Sequence, residues 1–315
     1  MRYAFLFIVA LSSFLMSQTQ LQVKDLPDSW KFAQRQKPLT PWDAPTTTVE
    51  ELDAVKKLCL AVLPIEAVGK YAYLKDCSIG RIVPVYRGIG RDSTPDFYFA
   101  EALKDGKSVA TLYVTGTVQL NFSKPPIKFW QDEAMKRAQS IVNKHWRKGV
   151  HLGAAWMTER HIIFHIYHSP KWKEVEEYTW TVPVLSGNWL LGFVCVDPWT
   201  GDTRLWKLPT PVGKEGIDSE QSKAIAWGYI QIFGLHEIYN DLQSPKEVFF
   251  QEKWKKWSVN LNSKIVTLPI KDDPNFPYDY RGASILIQFS KYGELIYLWV
   301  IDPSIEWFVI KGLNK

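Results

Sequence analysis

The sequence predicts an α+β fold of three tandem units, each an amphipathic helix packed on an antiparallel β-meander. Three observations predict it. Leu190–Trp206 (LLGFVCVDPWTGDTRLW) reads as a strand, a tight Thr200-Gly201 turn and a second strand. Ala102–Val114, with Asp105-Gly106, and Phe289–Val300, with Tyr292-Gly293, follow the same outline. Each hairpin also closes a block that opens with apolar residues at helical spacing. A helix and a short meander each carry one apolar face, and laying one across the other buries both. The boundaries that follow are 1–17 for an export signal, 18–45 for an extended Pro-rich lead-in, and 46–124, 125–212 and 213–315 for the three units.

Met1-Arg2-Tyr3 gives a short positive start, and Ala4–Met16 is an apolar run of 13 residues, short for a membrane span. It reads as a secretory signal, with an uncleaved N-terminal anchor as the alternative. Pro27, Pro38, Pro41 and Pro45 keep the lead-in extended, and Trp30 and Trp42 could pin it to the folded body. In the first unit, Thr47 or Thr48 followed three residues later by Glu50 or Glu51 forms a capping-box pattern. Leu52, Val55, Leu58, Cys59 and Val62 share one helical face, and Pro64 is expected to end that helix. Extended segments are expected at Tyr71–Leu74, Arg81–Tyr86 and Phe97–Ala102. The second unit opens after Pro125-Pro126 with a helix over Gln131–Trp146, its apolar face formed by Ala134, Met135, Ala138, Ile141, Val142 and Trp146. Strands are expected at Gly153–Met157, His161–His168 and Glu176–Val184. The third unit opens at Asp218, an N-cap with Gln221 as its capping-box partner, and its helix stops at Gly234. Strands at Val248–Phe250, Trp257–Asn260, Ile265–Pro269 and Ile305–Ile310 complete it.

The 46% hydrophobic and 23% charged composition suits a folded chain with a sizeable core. A net charge of +5, without a Lys/Arg run to follow a phosphate backbone, argues against nucleic acid as partner. No later segment has the apolar length of a membrane span. Cys59 and Cys77 fall in the same unit and could form one disulfide in an oxidising compartment, or stay as two buried thiols. Cys195 alternates with Val194 and Val196 as a small core residue.

The hairpin Val194-Cys195-Val196-Asp197-Pro198-Trp199-Thr200-Gly201, preceded by the Ala134/Ala138 helix, resembles the end of a PepSY-type module, found in peptidase propeptides and exported bacterial proteins. Asp105-Gly106 in the first unit and Gly293 in the third keep part of that pattern. The resemblance implies tandem non-catalytic modules that bind or restrain another protein, often a protease. It brings no catalytic residues and no cofactor.

Motif by motif, the enzyme signals fail. His236-Glu237 is followed by Asn240 where a zinc-protease helix needs histidine. Gly88-Ile89-Gly90 lacks a third glycine and a strand–helix frame, and no Gly-x-Ser-x-Gly elbow occurs. Five of the six histidines lie between His145 and His168, which raises a metal reading built on His151, His161 and His165. On one strand, however, His161 and His165 stand about 13 Å apart, too far to share an ion, which leaves a site of one strand histidine with His151 from a neighbouring strand. The 15 tryptophans are harder to set aside, since 11 lie between Trp130 and Trp257. Trp172, Trp189, Trp199, Trp206, Trp254 and Trp257 stand beside polar residues near turns, where aromatic rings anchor protein interfaces or stack on sugars. The expected function is therefore an exported, bacterial-envelope binding protein. Its partner is another secreted or envelope protein, with a wall glycan as the alternative and a metal-dependent hydrolase as the third reading.

Overall fold

The computed structural model describes residues 47–86, 95–146, 149–166, 172–243, 245, 248–264 and 282–302, without the side chains of 121–123, 163–166, 172–176 and 254. The export signal, the lead-in and the strands expected at 265–269 and 305–310 lie outside them. Among the described residues there are thirteen β-strands and four α-helices. The fold is predominantly β, and its described residues divide into two compact units, the first holding 47–85 and 95–127 and the second Tyr86 and the chain from Lys128.

In the first unit, α1 (Val49–Glu66) precedes an up-and-down meander of β1 (Ser78–Tyr86), β2 (Phe97–Lys104), β3 (Lys107–Val114) and β4 (Val118–Lys124). Thr48 supplies the cap: its Oγ1 accepts the Glu51 amide at 3.1 Å, and Glu51 Oε2 accepts the Thr48 amide at 2.8 Å. Pro64 does not end the helix as expected, but sits inside its last turn. There the missing amide removes a single helical bond, and the chain continues to Glu66. Tyr71–Leu74, expected to be extended, belongs to a 3-10 helix over Gly69–Leu74, which turns Leu74 into the core. Val55, Leu58, Cys59 and Val62 pack there with Tyr98, Ala100, Leu112 and Val114.

The second unit corrects the expected architecture. Its helices are α2 (Gln131–His145), α3 (Ser219–Ile232) and the short α4 (Leu235–Ile238). Its strands are β5 (His151–Leu152), β6 (Trp156–Ile166), β7 (Trp172–Ser186), β8 (Trp189–Val196), β9 (Thr203–Val212), β10 (Val248–Gln251), β11 (Lys256–Asn262), β12 (Ser284–Ser290) and β13 (Leu295–Asp302). In place of the separate strands expected at 153–157 and 161–168, Trp156–Ile166 runs as the one strand β6. Strand β13 pairs with β6 in parallel, Leu298 opposite Ile162 and Val300 opposite Phe164. This joins the blocks expected as second and third units into one mixed sheet, ordered β10-β11-β12-β13-β6-β7-β8-β9 with β5 on the end of β7. The chain is thus not three helix-on-meander units. Hydrophobic pattern sets which face of a strand is buried, but two apolar strands far apart in sequence carry no local mark that they will pair.

Helix α3 reaches β9 at one end of this sheet and β10 and β11 at the other, so the sheet curls around it. Asp218 and Gln221 cap it reciprocally, the Asp218 carboxylate accepting the Gln221 amide at 2.8 Å. Trp156, Ile162, Phe193, Trp206, Phe289 and Leu298 line the inner face against Ile225, Ala226 and Tyr229 of α3 and its C-cap Phe233. Helix α2 covers the outer face of β5, β7, β8 and β9 and buries Ala134, Ala138 and Val142. Strand β8 is therefore buried on both sides, which explains its near-continuous apolar run.

Candidate binding surface

The candidate tryptophans do not gather on one face. Trp206 is buried on the inner face, its ring 4.8 Å from Tyr229. Trp257 lies half-buried on the same face, 5.0 Å from Phe250. Trp199 is half-buried in the β8–β9 turn, edge-on to Tyr178 at 6.1 Å. Trp189 starts β8 and is 55% exposed. The side chains of Trp172 and Trp254 lie outside those described.

The Val194–Gly201 hairpin is held by hydrogen bonds within its turn and to α2. Asp197 Oδ1 accepts the amides of Trp199 and Thr200, both at 2.8 Å, which folds the turn. Gly201 has φ 76°, and its carbonyl accepts Arg137 Nη1 of α2 at 3.0 Å. The turn is thus clamped to α2, with Phe129 stacked on the Arg137 guanidinium at 4.1 Å.

His151 and His161 do not converge either. His151 is opposite Leu185 on β7 and His161 is opposite Glu176. Those partners are nine residues apart, about 30 Å along a strand, against metal–nitrogen distances near 2.1 Å. His165 has its side chain outside those described. His161 Nε2 instead lies 3.3 Å from Oε2 of the buried Glu159, whose Oε1 accepts the Tyr178 hydroxyl at 3.0 Å. Among the described residues no group of three metal-ligating side chains gathers. Cys59, Cys77 and Cys195 are buried free thiols, and burial pushes the Cys59 thiol up to about 12. Cys77 is raised for the same reason.

A buried charge cluster on the inner face went unread in the sequence. Arg160 of β6 is 1% exposed, and Glu294, in the β12–β13 turn, 2%. The guanidinium donates Nε to the Leu295 carbonyl at 3.2 Å, Nη1 to Thr179, and Nη2 to Thr181 Oγ1 at 3.0 Å and Cys195 Sγ at 3.3 Å. Glu294 stands 3.7 Å and Glu177 3.9 Å from it, while Arg204 pairs with Glu177 at 2.8 Å. Thr158 donates to Glu294 at 2.9 Å, and Trp206 lies 5.4 Å from the guanidinium carbon. Burial works against the charge on Arg160, but Cys195, Glu177, Glu294 and Tyr229 outweigh it and hold the pKa above its ordinary value. This cluster ties β6, β7, β8 and the β12–β13 turn together; sealed as it is, Arg160 reaches no solute. Its trace in the sequence is polar alternation at inward positions, Thr158-x-Arg160 and Thr179-x-Thr181.

A surface remains on the outer face of β10–β13, beyond the reach of α2. The pairings of Phe249 with Ser258, Ser258 with Gln288, Gln288 with Tyr297 and Leu286 with Trp299 put these side chains on one face. Phe249 is 56% exposed, and Leu286, Tyr297, Trp299 and Ile301 are half-buried. Tyr297 and Trp299 stand edge to face at 6.3 Å. A polar ladder crosses the same face: Lys256 Nζ donates to Gln288 at 2.7 Å, and Gln288 donates to Ser258 at 3.1 Å. Partial burial lowers the Lys256 pKa. Comparison with protein-family models, curated proteins and solved structures found no match to this chain.

Proposed function

We propose that the chain is an exported, non-catalytic protein of the bacterial envelope, PepSY-like in its role. In this reading the outer β10–β13 face binds or restrains another secreted or envelope protein, with a peptidase among the candidates. The observation that carries the reading is this half-open face, where Phe249, Leu286, Tyr297, Trp299 and Ile301 surround the Lys256–Gln288–Ser258 ladder. Aromatic anchors beside satisfied polar groups are the composition of protein interfaces, and an open apolar patch marks a place for a partner. The positive start and the apolar run at 4–16 support export. The sealed Arg160 cluster and the separation of His151 from His161 support a non-catalytic role. Glycan stacking would call for several exposed coplanar rings. Among the candidate tryptophans with described side chains, Trp189 alone is largely exposed.

The test immobilises the full chain and offers it secreted proteins, envelope proteins and purified wall polysaccharide from its native source. One defined protein should be retained, then released when Phe249→Glu breaks the face, while the exposed-loop control Asn188→Lys keeps it. Retention of polysaccharide alone, or of a protein indifferent to Phe249→Glu, would overturn the reading.

A further inference from the structure

The sheet of the second unit ends in two strands that differ in how they meet their surroundings. Among the described residues β9 pairs only with β8, and β10 only with β11. An edge strand presents a row of main-chain N–H and C=O groups to whatever lies beside it, and folded proteins blunt such rows with proline, charge or a bulge. Strand β9 has such devices. Its register against β8 jumps between Leu190–Val212 and Gly192–Lys207, so that Leu208–Pro211 bulge from the ladder. Pro209 and Pro211 are exposed and have no N–H to offer, and Thr210 Oγ1 is held by Gln221 Nε2 of α3 at 3.1 Å.

Strand β10 has none of them. Its sequence, Val248-Phe249-Phe250-Gln251, holds no proline and no charge, and its register against β11 runs unbroken from Val248–Val259 to Gln251–Lys256. No residue of β10 is buried, and Phe249 is the most exposed of the four. The edge itself chooses the occupant. Alternate N–H and C=O groups of a strand point to opposite sides, so those not bonded to β11 point outward in one line at the spacing of an extended chain. A helix satisfies its own main chain internally and leaves that row unanswered; an extended peptide matches it group for group. The same segment would lay alternate side chains beside Phe249 on the outer face. A second copy of β10 fits less well. Two copies joined edge to edge extend the sheet sideways and leave Tyr297 and Trp299, three strands and about 14 Å in from the edge, as open as before.

We propose that the partner protein meets this chain with an extended segment of its own, added as a strand to the outer edge of β10. The proposal rests on the reading of the β10–β13 face as the binding surface and names how that surface is engaged: main-chain bonds along β10, one apolar side chain on Phe249, and the body of the partner over Tyr297 and Trp299. The segment that fits is at least four residues long and has no proline among them.

The probe is a blocked peptide of sequence KWSVNLN, the stretch Lys256–Asn262 whose first four residues pair with β10 on its other side. Residue-resolved hydrogen exchange of the full chain should find one alternate pair of β10 amides, 248 and 250 or 249 and 251, exchanging fast. At about 1 mM the peptide should slow that pair at least tenfold, whereas KWSPNLN, with proline at its centre, should not. Val248→Pro and Gln251→Pro remove N–H groups on opposite sides of the strand. The one that removes the outward group should keep its urea midpoint and bind KWSVNLN at least tenfold more weakly. No slowing by the peptide, or binding indifferent to both prolines, would overturn the proposal. Slow exchange of the outward pair in the chain alone, quickening on dilution, would overturn it in favour of a second copy. Because the probe is a peptide, this test can fail while capture of a protein through Phe249 succeeds; failure of that capture removes the reading beneath it instead.

Discussion

Gly106 and Gly293 close their hairpins with the same left-handed backbone, φ 73° and 86°, but in unlike surroundings. A side chain at position 106 would meet nothing within 4 Å. One at 293 would lie 2.9 Å from Ile225 and 3.0 Å from Leu208. The Gly293 carbonyl also accepts the Tyr229 hydroxyl at 2.5 Å, and the next residue, Glu294, is held in the Arg160 cluster. The β2–β3 turn projects freely; the β12–β13 turn is pressed between α3 and β9 and carries a buried charge. The difference teaches that a glycine-closed hairpin in this chain can be either a simple reversal or a structural joint, depending on what packs over it.

The strongest way to break the second turn is to remove its counter-charge. Arg160→Leu leaves Glu294 without its buried counter-charge, Glu177 keeping Arg204, and should cost about 3–5 kcal/mol in urea unfolding. Adding Glu294→Leu should recover part of that loss, because an unpaired buried charge costs more than an apolar pair. If Arg160→Leu alone left stability unchanged, the cluster would not hold the turn. Next in size is Gly293→Ala, expected to cost about 2–3 kcal/mol through left-handed strain plus crowding against Ile225 and Leu208.

A third prediction uses pH. Burial raises the pKa of Tyr229 well above its ordinary 10.0, partly offset by Arg160. A group whose folded pKa is raised lends stability below its unfolded pKa and loses it as pH climbs beyond. Unfolding measured from pH 9 to 11 should therefore weaken above pH 10.0, by at most about 1.4 kcal/mol per pH unit for this tyrosine. Tyr229→Phe should remove that share of the slope; an unchanged slope would mean the hydroxyl is open to water. The smallest effect belongs to the free turn, where Gly106→Ala should cost about 1 kcal/mol from backbone strain alone.

Much of the local chemistry was legible, though Pro64 does not stop α1 and Tyr71–Leu74 is not extended. The Thr48/Glu51 and Asp218/Gln221 caps, the buried face of α1 and the turns at Gly106, Gly201 and Gly293 follow from residue types a few positions apart. What was not legible is non-local. Nothing in Leu295–Asp302 marks β6 as its parallel neighbour, and that pairing turns two expected units into one curled sheet. Arg160 reads like any solvated strand charge until β7, β8 and the β12–β13 turn close over it. The tryptophans misled for a related reason: flanking polar residues suggested exposure, yet Trp206 alternates onto the inner face beneath Tyr229. The half-open aromatic face escaped notice because its members come from β10, β12 and β13 and share no motif.

The central claim is that partners are met on the β10–β13 face. Hydroxyl-radical footprinting of the full chain, with and without the captured protein, tests it most directly. Phe249, Tyr297 and Trp299 should lose reactivity on binding, while Trp189 and Tyr73 keep theirs. Protection confined to Trp189 or Tyr73, or absent altogether, would contradict the assignment.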